Sequence, residues 1–298
     1  MILNGVTIDE TFAEAFPMKA TRVIITAQTE QWACNAAKSM TGFATSVIAC
    51  GCEADIERVL SPSETPDGRP GVSAMIFAMG GKALMKQLET RAGQSVLTSP
   101  TSALFSGIEG GKRIPLGKNL RYFGDGFQTS KLINSKRYWR IPVMDGEFLV
   151  EETSGQVDAI GGGNLLILAE SEEDALNACE KAVEAMRKVP NVILPFPGGV
   201  VRSGSKVGSK YASLGASTND AFCPTLKGIT KTELSREIES VMEIVIDGLT
   251  EEDIKKAMRV GVETFCSIGA YNGVKRISAG NYGGKLGPYH FHLQEIME

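Results

Sequence analysis

The strongest constraint on the fold is a strand-helix-strand pattern that occurs four times along the chain. The first copy runs from an apolar strand over 22–27 (RVIITA) through a helix over 30–40, striped by Trp32, Ala36 and Met40 and stopped by Gly42, to a strand over 45–50 (TSVIAC). The second has a strand over 72–79 (VSAMIFAM), a helix bearing Leu84 and Leu88 that ends at Gly93, and a strand over 95–99 (SVLTS). The third begins at 164–170 (NLLILAE). Its helix opens on the capping pattern Ser171 to Asp174 and carries Leu176, Cys179, Val183 and Met186, before a strand over 191–196 (NVILPF). The fourth joins 241–248 (VMEIVIDG) to 274–280 (VKRISAG) by a helix capped at Thr250 and striped by Ile254, Met258, Gly261 and Phe265.

Two such units per half make a split βαβ, in which an antiparallel sheet carries helices on one face. The expected class is therefore α+β: two ferredoxin-like lobes, residues 1–150 and 151–298, with antiparallel sheets flanked by helices. Aromatics and turn residues over 120–152 add inserted hairpins, FGDG (123–126) being read first as a hairpin turn.

Glycine-rich segments invite a nucleotide reading, and the spacing opposes it. In 278–291 (SAGNYGGKLGPYHF), Gly280 to Gly284 encloses three residues rather than four, and Leu286 follows Lys285 where a P-loop needs Ser or Thr. In Gly161-Gly162-Gly163-Asn164-Leu165-Leu166 a leucine occupies the last glycine of a dinucleotide fingerprint.

Composition narrows the classes further. With 31 basic and 35 acidic residues the formal charge is -4, without the basic stripe of a nucleic-acid surface. Asp9, Glu10 and Glu14 interrupt the N-terminal segment where a signal peptide needs an apolar core, and no run reaches membrane-spanning length, so a cytoplasmic protein with no membrane partner is expected. The six scattered cysteines read as reduced thiols, and His290 and His292 lack a third ligand nearby, so no metal is expected.

Several segments carry possible chemistry. Glu243 alternates with Val241, Val245 and Asp247. A carboxylate so placed either lies on a solvated face, the more ordinary arrangement, or is held in a partly dry site where it exchanges protons near neutral pH. The stretch 194–208 (LPFPGGVVRSGSKVG) turns the chain and then offers Ser203, Ser205 and Lys206 to an anionic or carbonyl-rich ligand, or is an ordinary surface loop. Segments 63–71 (SETPDGRPG) and 223–228 (CPTLKG) are turns holding a charged side chain beside proline or glycine.

Taken in order, DETFAEAFP, TPDGRPG, YFGDGF, DGEFLVEE, PFPGG with SGSKVG, CPTLKG, EIVIDG and AGNYGGKLG resemble the formylmethanofuran:tetrahydromethanopterin formyltransferases of archaeal one-carbon metabolism, over essentially the whole length. The resemblance implies formyl transfer between methanofuran and N5 of tetrahydromethanopterin or tetrahydrosarcinapterin. It further implies a homotetramer built from dimers, and no tightly bound cofactor, the furan and pterin being substrate-coenzymes. It assigns proton handling to Glu243 and substrate binding to the glycine-rich loop, with Asn281, Tyr282 and Lys285 as polar contacts. Ser203, Ser205 and Lys206 become ligand or oxyanion contacts, and Arg69 a further one. Amine attack on a formamide needs no side-chain nucleophile, in keeping with a chain whose only histidines lie together near its end. Two other readings stand beside this one: a component of a bacterial formyltransferase/hydrolase complex, and a non-enzymatic ferredoxin-like binding module.

Overall fold

The computed structural model describes residues 1–298 as two compact units, one of residues 18–159 and one of residues 1–17 with 160–298. The units differ from the sequential halves at their start and at the boundary, residues 151–159 falling in the unit 18–159. Val6, Ile8, Ala13 and Ala15 belong to the core of the second unit, because Val6–Ile8 pairs in parallel with Val274–Ser278 and Tyr289–His292 pairs with the beginning of Phe12–Thr26.

In the unit of residues 18–159, the strand order is Glu53–Leu60, Gly71–Ala78, Phe12–Thr26, Ala103–Ser106, which is the split βαβ order. The helices Glu30–Thr41 and Gly81–Arg91 cover one face, packing Ala33, Ala36, Met40, Leu84 and Leu88 onto Val23, Ile25, Ala74, Ile76 and Leu104. Gly146–Glu151, Lys136–Val143 and Thr129–Ile133 extend the sheet as the expected hairpins.

Four local expectations fail here. Trp32, expected on the stripe of the first helix, is exposed, and Ala33 takes its place in the core. TSVIAC is not a strand: Ser46 accepts from the Ile48 N–H and Gly51 adopts φ +77°, closing a short helix, Val47–Cys50, whose Ile48 points into solvent. The paired strand is Glu53–Leu60. SVLTS is not one either, because the helix runs past Gly93 into a wider turn, Ala92–Val96, and the strand is Ala103–Ser106. FGDG is a 3₁₀ turn, Arg121–Gly124, closed by Asp125 in the left-handed region, and the hairpin turn is Asn134-Ser135.

In the other unit the order is Val192–Ile193, Ser240–Gly248, Thr153–Ala169, Val274–Ser278, again split βαβ. Helices Glu172–Met186 and Glu251–Ile268 cover one face through the expected stripes, except that Leu176 is exposed. Their N-caps, Ser171 and Thr250, accept from the N–H groups of Asp174 and Asp253. NVILPF contributes only Val192 and Ile193 to the sheet. The glycine triplet 161–163 is a β-bulge: the register shifts between Ile160 and Gly163, Gly162 takes φ +93°, and a Cβ there would meet the Phe16 ring at 2.6 Å.

Candidate active site

The strand Ser240–Gly248 sorts its side chains by alternation. Met242, Ile244 and Ile246 enter the core beneath the helices, whereas Val241, Glu243 and Val245 face the other way. That second face is covered by the excursion over 197–239, where Leu234 and Ile238 pack on Leu166 and Leu168. Val201 pairs with Glu243 through two backbone hydrogen bonds of 2.7 and 2.9 Å, so the Pro197-Gly198-Gly199 turn delivers residues 202–205 beside the carboxylate.

A cavity of about 280 Å³ results, lined by Glu243, Ser203, Ser205, Tyr282, Gly280 and the Cys223-Pro224-Thr225 turn among others. Glu243 reaches this cavity, yet burial pushes its carboxyl up to about 7, against the opposing effect of one hydrogen bond from Asn164. The Asn164 amide donates to Glu243 Oε1 at 3.1 Å, and its Oδ1 accepts the Gly280 N–H at 2.7 Å. The second bond fixes which end of the amide faces the glutamate. A Cβ at position 280 would stand 2.6 Å from Asn164 Nδ2, so any larger residue there displaces the amide that holds Glu243. Burial raises the Tyr282 phenol as well, with the Glu243 charge adding and a hydrogen bond with Ser205 opposing.

The glycine-rich loop does hold an anion, and the anion belongs to the protein. Glu14 has no solvent-accessible surface. Its Oε2 accepts the N–H groups of Tyr282 at 2.7 Å and Gly284 at 3.0 Å, and its Oε1 accepts those of Gly287 at 2.7 Å and Leu286. Burial alone would raise this carboxyl, but the four donors hold it below its ordinary value. Gly283 and Gly284, at φ +81° and +69°, give the loop its curvature, and a Cβ at Gly287 would lie 2.1 Å from the Ala15 carbonyl oxygen.

Of the residues singled out in sequence, Ser203, Ser205, Tyr282 and Glu243 come together on the cavity. Lys206 lies on the short strand Lys206–Val207 and ion-pairs with Asp220. Asn281 is exposed, donating to Thr11 Oγ1 at 3.0 Å and accepting from the Gly283 N–H, and Lys285 is exposed in the same loop. Arg69 belongs to residues 18–159, where its guanidinium holds Asp67 at 2.8 Å, the Thr101 carbonyl at 2.6 Å and Thr26 Oγ1 at 3.0 Å. His290 and His292 flank the Phe12 ring with centroids 4.6 and 5.1 Å away. Sequence reasoning missed Asn164 and Glu14. The available signal was a polar residue inside an otherwise apolar strand, GGGNLLILA in one case and FAEAF in the other.

Comparison with known proteins identifies the family of the chain. The family model for formylmethanofuran-tetrahydromethanopterin formyltransferase matches residues 1–143, and the model of that family's proximal lobe matches residues 146–296. The chain is 77% identical to the formylmethanofuran–tetrahydromethanopterin formyltransferase of Methylococcus capsulatus, over 100% of both chains. It is 52% identical to one component of the formyltransferase/hydrolase complex of Methylorubrum extorquens, over 99% of this chain and 97% of that one. A crystal structure of that complex with methylofuran superposes with a TM-score of 0.98 at 51% identity, covering 100% of this chain and 99% of the other. The Methanosarcina barkeri formyltransferase gives 0.94 at 49% identity, covering 99% and 100%. The chain belongs to the formylmethanofuran-tetrahydromethanopterin formyltransferase family.

Proposed function

We propose that the Glu243 cavity is where a formyl group passes between formylmethanofuran and N5 of tetrahydromethanopterin or tetrahydrosarcinapterin, with Glu243 moving the proton. Formyl transfer between these two substrate-coenzymes is the family's reaction, and the chain is an acyltransferase. The observation that carries the assignment to this cavity is geometric: Glu243 lines it together with Ser203, Ser205 and Tyr282 and is held there by the Asn164 amide, while burial pushes its carboxyl up to about 7. As the pterin amine attacks the formamide carbon, its nitrogen becomes acidic and the methanofuran nitrogen becomes the leaving group. One carboxyl that accepts the first proton and returns it to the second nitrogen serves both events. Charge developing on the formyl oxygen needs donors, and the hydroxyls of Ser203, Ser205 and Tyr282 lie on the same cavity. Asn281, Lys285 and Lys206, exposed polar residues of the unit that holds the cavity, are assigned to the outlying parts of the two ligands. Assay of the purified chain with both substrates, beside Ser205→Ala and Tyr282→Phe, tests the placement. Losses in kcat of about tenfold or more support it, and wild-type kcat in both variants contradicts it.

The family reading carries a homotetramer and a cytoplasmic location. Assembly into a formyltransferase/hydrolase complex is the second reading, favoured by the likeness to the Methylorubrum extorquens component, and it makes methylofuran an alternative furan coenzyme. Native mass of the tagged chain recovered from its own cells separates a homotetramer from a hetero-oligomer.

A further inference from the structure

We propose that Glu14 is a positioning residue for formyl transfer, its carboxylate serving as the internal anion around which the substrate loop 280–287 folds. The inference rests on the reading of the Glu243 cavity given above and extends it to a residue outside the cavity lining. Glu14 grips the loop at two levels. Its backbone N–H donates to the Gly280 carbonyl at 3.2 Å, next to the Gly280 N–H that orients Asn164 against Glu243. Its side chain gathers four N–H groups from 282 to 287, beginning with that of Tyr282, whose side chain lines the cavity.

The two cavity residues on this loop are therefore fixed by one glutamate. Loop peptides with glycines in the left-handed region have low intrinsic preference for a single shape, and a set of converging N–H groups without an anion would leave buried donors unpaired. A carboxylate supplies four acceptor sites and satisfies all of them. Filling the cradle from within also removes it as a subsite for phosphate groups of a ligand.

The test uses Glu14→Gln, which preserves the shape of the side chain but presents an NH₂ group to donors that need an acceptor. Two readouts are taken together. Trypsin cleaves after Lys285, and the peptide it must open carries the Leu286 N–H held by Glu14. Release of the loop is expected to accelerate this cut by about tenfold or more. In the steady state KM for at least one substrate is expected to rise by about tenfold, with the overall melting temperature little changed. Cleavage after Lys285 at the wild-type rate together with unchanged KM overturns the proposal. Because proteolysis does not depend on turnover, an inactive wild type would refute the formyltransferase reading while leaving the loop measurement decisive. Should Glu14→Gln not fold, amide exchange in the wild type decides: joint protection of Tyr282, Gly284, Leu286 and Gly287 is expected, and rapid exchange at these positions overturns the proposal.

Discussion

Replacing Glu243 by glutamine should make the protein more stable at alkaline pH while removing its activity. The folded chain holds this carboxyl at about 7, against an ordinary value of 4.5. Between those two pH values the folded state keeps a proton that the unfolded chain has released. The stability contributed by this group is complete below about pH 4.5 and is lost as pH rises to about 7. At ~1.36 kcal/mol per pH unit the interval corresponds to about 3 kcal/mol, which contact with solvent through the cavity reduces to about 1–2 kcal/mol. Glutamine keeps the acceptor for Asn164 and carries no charge, so it escapes this loss. Thermal melts of both proteins from pH 4 to pH 9 measure the difference. The variant should gain on the wild type through pH 5 to 7, by about 2–6 °C in total, and the gap should stay constant above. A gap that does not change with pH would refute the assignment of a buried, proton-binding carboxyl to Glu243.

Further expectations concern the same cavity and its supports. Asn164→Ala removes the hydrogen bond that opposes burial, so the rising limb of kcat/KM with pH should move to the alkaline side of the wild type. An unmoved limb would mean that Asn164 does not touch the titrating group. Gly280→Ala places a methyl group 2.6 Å from Asn164 Nδ2 and should cost about tenfold or more in kcat/KM, measured beside circular dichroism to confirm an intact fold. Thr250→Ala, which removes the acceptor of the Asp253 N–H, should cost about 1 kcal/mol in urea unfolding and leave kcat unchanged.

The parts of the fold legible in sequence were those in which periodicity and burial coincide. Ile254, Met258, Gly261 and Phe265 repeat at helical spacing because one helix face meets the sheet. The alternation of 241–246 follows from the different cover on each face, and it breaks at Asp247, which is buried. Where local chemistry competed with propensity, the sequence misled. Ser46 and Gly51 close a helix around Val47-Ile48, β-branched residues that a sheet would also accept, and Gly93 sits inside a helix that packing carries onward. The candidate site was legible to the extent that its residues lie in one segment each. Glu243, Ser205 and Tyr282 could be singled out, but their meeting depends on the Val201–Glu243 bridge, a contact between loop and strand that no periodicity encodes. Glu14 was harder still, for its four partners lie 268 to 273 residues away. The glycines of 280–287 announced a cradle without saying whose anion it holds.

The most direct test of the account is the pH dependence of formyl transfer from formylmethanofuran to tetrahydromethanopterin by the purified chain, followed spectrophotometrically for the wild type and Glu243→Gln. If Glu243 moves the proton, the wild-type kcat/KM rises through a midpoint near 7 to a plateau, and the variant is slower by about a hundredfold or more with that limb abolished. Comparable turnover in the variant, with the same limb, would contradict the role given to Glu243.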